Sequence, residues 1–222
     1  MIGKLRRAGT AFLLLFAAAL SAANAAPLVS VDFNVGNASG LLQEGFESWT
    51  CAPDAKAKTI TRAFPVSDPS VPENVLTVEI TSSSGRLIGR ERVPHLLAKE
   101  FACGNLYRDL IIASGSNTKI TVTFSGLAPD TVYDVAFFTI DPDNTSSTSV
   151  RNTTQDISHG QVVTYTKNEG KKYNSRTSLD IGAISGPATS DAGGRLTFVI
   201  GTTGNPGNQA ILNGFRISSL SS

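Results

Sequence analysis

Hydrophobic residues recur at every second position through most of this chain. Residues 119–125 alternate without a miss, which places Ile120, Val122 and Phe124 on one face of an extended segment. Residues 75–81 do the same with Leu76, Val78 and Ile80, and residues 195–200 with Leu196, Phe198 and Ile200. Residues 132–140 are almost wholly apolar, which predicts a central strand covered on both faces. Further strands are predicted at 28–35, 59–64, 106–113, 161–166, 178–184 and 211–218.

Turn-forming clusters separate these runs, at 82–85, 114–117, 127–130, 191–194 and 204–208. A helix-period stretch of useful length is missing. Residues 91–101 allow a short helix, which Pro94 limits to about two turns. The longest polar loop is predicted at 141–158. About ten short strands with polar connections predict an all-β fold, a single jelly-roll sandwich of antiparallel strands.

The first 25 residues break the pattern. Lys4, Arg6 and Arg7 precede an unbroken apolar run at 11–20, and Ala23, Asn24 and Ala25 then give a small-x-small cleavage site. This is the design of a secretory signal peptide. The run is shorter than the roughly 20 apolar residues that a membrane-spanning helix needs. The expected division is therefore a signal peptide at 1–25 and a β-sandwich domain at 26–222, secreted or periplasmic, with no membrane span in the mature form.

Export changes the charge balance. Three of the 19 Lys+Arg lie in the leader and none of the 18 Asp+Glu, so the mature chain holds 16 against 18. A net charge near −2 and no basic stripe argue against a nucleic-acid partner. The closest basic cluster, at 170–176, reads as a solvated loop. Export also bears on the two cysteines. Cys51 and Cys103 are expected to pair in an oxidising compartment, which would stabilise by about 4 kcal/mol in the chain-entropy model. Two buried free thiols are the alternative. His95 and His159 lack ligand spacing to either cysteine.

Several segments, in order, are "VDFNVG" at 31–36, "GFESWT" at 45–50, "LYRDLIIA" at 106–113, "ITVTFSGLAPDTVYDVAFFTID" at 120–141 and "AILNGFRIS" at 210–218. Together they resemble a group of secreted bacterial β-sandwich modules with a galactose-binding-like jelly roll. The resemblance implies carbohydrate binding and brings no catalytic residues. Its "GLAP-T-Y-V" portion implies a Leu packed under a turn and a Tyr entering the next strand, a feature of the fold more than of a ligand.

Candidate ligand residues follow from chemistry. Trp49, the single tryptophan, has an indole able to stack on a sugar ring, yet a lone Trp also suits a sandwich core. Arg108 and Asp109 stand in an apolar strand, either as a structural ion pair or as a clamp on hydroxyls. Tyr165, Tyr173 and Arg176 lie in an aromatic, amide-rich stretch fit for one wall of a glycan groove or for an ordinary hairpin. Asp141, Asp143 and Asn144 place three oxygen side chains in four residues, suited to a structural Ca²⁺ or to an Asx-type turn. No other cofactor is expected.

Catalytic motifs are missing: no Gly-x-Ser-x-Gly elbow, no His-Glu-x-x-His, no phosphate loop. The reading is a non-catalytic polysaccharide-binding module. The alternatives are a polysaccharide lyase or glycoside hydrolase, and a structural or matrix interaction protein.

Overall fold

The computed structural model describes residues 26–35, 42–51, 57–91, 105–115, 117–139, 155–159, 163–167, 183–202 and 209–220. The expected signal peptide lies outside them. In chain order the strands are β1 (Pro27–Val35), β2 (Glu47–Cys51), β3 (Thr59–Pro65), β4 (Val75–Ser82), β5 (Leu87–Glu91), β6 (Asp109–Ala113) and β7 (Ile120–Ser125). Then come β8 (Val132–Phe138), β9 (Gln155–His159), β10 (Val163–Lys167), β11 (Ala183–Thr189), β12 (Arg195–Thr202), β13 (Ile211–Leu212) and β14 (Gly214–Ser219). The described residues contain no helix.

Three sheets result. A six-stranded sheet has the order β10-β9-β12-β7-β4-β3, a five-stranded sheet the order β11-β8-β14-β1-β2, and a small sheet the order β13-β6-β5. Alternation dictates the inner face of the first. Leu76, Val78 and Ile80 of β4, Ile120, Val122 and Phe124 of β7, and Leu196, Phe198 and Ile200 of β12 are all buried. Register lines them up, with Val78 opposite Phe124 and Phe198 opposite Val122. The five-stranded sheet answers with Val31, Phe33, Val135, Phe137, Phe215 and Ile217. Aromatic rings join the layers: Phe124 and Phe215 have centroids 5.3 Å apart, Phe137 and Phe198 5.0 Å. Two sheets face to face over such a core make a β-sandwich. The third sheet contributes Leu87, Ile111, Ala113 and Leu212 to the same core, while Leu110, Ile112 and Ile211 form a second small apolar cluster.

The Leu and Tyr implied by the resemblance behave as expected. Leu127 is buried, and the Tyr133 hydroxyl accepts from Ala128 N (3.0 Å) and donates to the Ser70 carbonyl (2.7 Å).

Several expectations need correction. The ladders are antiparallel except β1–β2, which run parallel. β8 is central in its sheet, yet Asp134 and Ala136 are only half-buried, so apolar composition overstated its cover. Residues 155–158, assigned to the polar loop, form β9 together with His159 and pair with β12 and β10. Polar composition hid this strand. Residues 106–108 form a turn, and the strand begins at Asp109. Glu91, placed in a short helix by its sequence, ends β5; residues 92–101 lie outside the described set.

The segment expected as one strand at 211–218 divides at Asn213. Its backbone N–H donates to the Phe138 carbonyl (2.8 Å), and its carbonyl accepts from Phe33 N (3.0 Å). Its Nδ2 donates to the Asp109 carbonyl at 2.9 Å. One buried residue thus ties β1, β6 and β8 together. Gly214 follows because a Cβ there would run into the Val31 carbonyl and come within 2.9 Å of Leu106 Cδ1.

Candidate functional site

Strand register sets the ends of two long connections side by side. The chain leaves the five-stranded sheet at Phe138 and enters the six-stranded sheet at Gln155. It returns from Lys167 to Ala183. Phe138 pairs with Ala183, and Gln155 pairs with Lys167. The two crossings therefore start and finish beside each other. Asp141, Asp143 and Asn144 belong to the first crossing, Tyr173 and Arg176 to the second; all five lie outside the described residues. Tyr165 is placed on β10, opposite Ile157.

Phe138 also anchors a packed layer on the outer face of the five-stranded sheet at this end. Phe46 meets it edge-on with centroids 5.6 Å apart, and Tyr107 at 6.4 Å. Gly214 pairs with Phe138 on one side and Asp32 on the other, so the three form a row across the sheet. Beneath the cover lies a polar group that alternation alone would leave in solvent. Asp32 is 0 % exposed, Asn34 3 % and Asp109 1 %. Asp32 Oδ2 accepts from Gln43 N at 2.9 Å. Asn34 Nδ2 donates to the Asp32 carbonyl and to Ser48 Oγ, both at 3.1 Å. Asp32 Oδ1 and Asn34 Oδ1 have no hydrogen-bond partner, and neither does the buried Arg108 Nε donor.

Burial decides the electrostatics. It pushes the Asp32 carboxyl up to about 7; the Gln43 N–H opposes this and the neighbouring Asp109 adds to it. Burial likewise raises Asp109 to about 6, against the pull of Arg108 and of a hydrogen bond from the Val35 N–H, while Glu91 adds to the rise. The Arg108 guanidinium is bonded to Glu91. The expected Arg108–Asp109 pair is corrected accordingly: the partner is across the β5–β6 ladder, and Asp109 points inward. Both carboxyls are enclosed, so as placed they are out of reach of a polysaccharide chain.

Trp49 takes the core role. It is 8 % exposed, with Phe33 at 5.5 Å and Phe64 at 5.8 Å between centroids, so the indole is packed among core aromatics. That corrects its assignment to a ligand. Cys51 is buried as a free thiol, not joined in the expected disulfide, and burial pushes its pKa up to about 12. Cys103 lies outside the described residues. No group of three or more His, Cys, Asp or Glu suited to a metal occurs among the described residues. Nor is any helix among them long and apolar enough to cross a membrane.

Sequence reasoning missed Asp32, Asn34 and Asn213 as a group. Residues 28–35 alternate like any half-buried strand, and the only local signal was their place in two of the segments quoted above.

No protein-family model matches this sequence, and no curated protein matches it. Solved structures offer distant likenesses. One is a chain in the complex of plant peptide RALF23 with FER and LLG2, at 17 % identity and a TM-score of 0.39 over 87 % of this chain. This chain spans 40 % of that one. A second is TmCBM61 in complex with β-1,4-galactotriose, at 9 % identity and a TM-score of 0.33 over 64 % of this chain and 88 % of that one. A third is the exo-β-1,3-galactanase from Phanerochaete chrysosporium, at 16 % identity and a TM-score of 0.30, over 50 % of this chain and 23 % of that one.

Proposed function

We propose that this chain is a secreted or periplasmic, non-catalytic glycan-binding β-sandwich. The observation that carries the reading is the shared end of the two sheet crossings, fixed by the Phe138–Ala183 and Gln155–Lys167 pairs. By sequence, Asp141, Asp143 and Asn144 fall in the first crossing and Tyr173 and Arg176 in the second, residue types suited to stack on sugar rings and bond hydroxyls. The aromatic interior is fully used in packing, so recognition falls to these connections. The leader at 1–25 sends the domain to a compartment where polysaccharides are met.

A glycan array with the exported chain tests the reading. Binding to one polymer class, lost in Tyr173→Ala and Arg176→Ala and kept in Trp49→Phe, is the expected result. Release of reducing ends or of an unsaturated product from the bound polymer would replace it with an enzymatic reading. Retention of surface proteins with no glycan bound would replace it with a matrix role.

A further inference from the structure

We infer that the outer face of the five-stranded sheet binds the carboxylate of an acidic polysaccharide, a polymer of uronic acid, through Arg216. The inference rests on the glycan reading above and names the class of sugar.

Arg216 stands on β14, the middle strand of that sheet, between Ser30 of β1 and Ala136 of β8. Alternation aims it away from the core, since Phe215 and Ile217 on either side of it are buried there. Its guanidinium is nonetheless held in place. Nε donates to Ser30 Oγ at 3.3 Å, and the guanidinium carbon lies 5.2 Å from the centre of the Phe46 ring. Arg62 and Arg108 are paired with Glu47 and Glu91, whereas no carboxylate among the described residues is paired with Arg216. Asp32, one row away on the same face, is enclosed and bonded to Gln43 N instead. Arg216 is thus a half-buried, oriented cation without a counter-ion, and its two Nη groups are uncommitted.

A cation taken partly out of water gains most from an anion that meets it in good geometry. With Nε committed to Ser30, the two Nη groups form an end-on fork, and the planar partner of such a fork is a carboxylate. The sheet residues around it on this face are small: Ser30, Ala136, Gly214 and Ser218. They do not wall in the guanidinium edge. Asp134, half-buried on the same face, pairs with Ser218 one row further along. It accepts bonds from hydroxyls, which a uronic-acid polymer carries beside each carboxylate and an inorganic anion lacks. In the other direction the next row is Gly214, Phe138 and Ala183. The start of the first crossing and the finish of the second are therefore one row from Arg216, so the sheet face extends the surface assigned to the crossings.

The test measures the affinity of the exported chain for polygalacturonate and alginate, each against its methyl-esterified form, with a neutral galactan and a sulfated galactan beside them. Binding of a uronate polymer is expected, weakened about tenfold or more by esterification and weakened by raised salt. Arg216→Gln should weaken it about 10- to 100-fold while the chain still melts cooperatively. Arg216→Lys keeps the charge and loses the fork, and should cause a smaller loss. Arg195→Gln, exposed at the start of β12 on the other sheet, should change nothing. Full uronate binding by a folded Arg216→Gln chain overturns the site, or by Arg216→Lys where only that variant folds. Equal binding of the esterified polymer overturns it too. Tighter, Arg216-dependent binding of the sulfated galactan would replace the carboxylate with a sulfate ester. Binding of the neutral galactan alone overturns the site and leaves the glycan reading standing, whereas binding of no polymer removes that reading and the site with it.

Discussion

The Tyr133 hydroxyl shows how much one atom can hold. It bridges Ala128 N–H and the Ser70 carbonyl across the turn before β8. Ala128 N–H also donates directly to the Ser70 carbonyl (2.7 Å), so Tyr133→Phe strands neither backbone group and should cost only about 0.5–1.5 kcal/mol, read as a lower urea midpoint with an unchanged m-value. Asp32 and Asp109 act in the opposite sense. Their folded pKa values, about 7 and about 6, lie above the ordinary carboxyl value of 3.8. The folded state therefore binds more protons than the unfolded chain between about pH 4 and 7, and stability falls as pH rises through that window. The melting temperature should be higher at pH 5 than at pH 8, and Asp32→Asn should flatten the difference. An equal melting temperature at both would show that the carboxyls are solvated. Cys51, with its pKa near 12, should resist iodoacetamide in the native chain and react only on unfolding. Trp49 was legible as a residue of two possible roles. Only its neighbours Phe33 and Phe64 decided between them, because local alternation cannot say which faces of a ring are covered.

At the scale of elements, period-two patterning located the strands that face water on one side. β4, β7 and β12 follow it nearly residue for residue, since each buries one face and solvates the other. Strands with another environment escaped it. β9 is a short polar segment held by ladders on both sides. β2 lies parallel to β1, a pairing that no hairpin signal announces. β13 and β14 read as one strand because Asn213, which turns inward to serve three neighbours, looks like a surface residue on its own. The close approach at this break gives a clear test. Gly214→Ala forces a methyl onto the Val31 carbonyl and under Leu106, and should destabilise by about 1–3 kcal/mol. Trp49→Ala empties a larger volume and should cost about 3–5 kcal/mol, while glycan binding well below the melting temperature stays unchanged. Loss of binding in that folded variant would return Trp49 to the ligand set.

At the scale of the whole molecule, intact-mass analysis of the exported protein should give a chain beginning at Ala26. A chain still carrying residues 1–25 would make the leader an anchor. Hydrophobic patterning by itself determined the all-β class and much of the inner face of the sandwich, because side-chain alternation is a local property of an extended backbone. It also nominated the polar connections as candidate binding segments, from composition alone. Tertiary structure decided the rest. Cross-strand register set the ends of the two crossings side by side, since Phe138 meets Ala183 and Gln155 meets Lys167 only after the sheets have formed. The layer of Phe46, Leu106 and Tyr107 turned the outward face of β1 into an interior. Whether an aspartate is a surface charge or a buried carboxyl depends on what folds over it, and Leu106 and Tyr107 lie far from Asp32 along the chain.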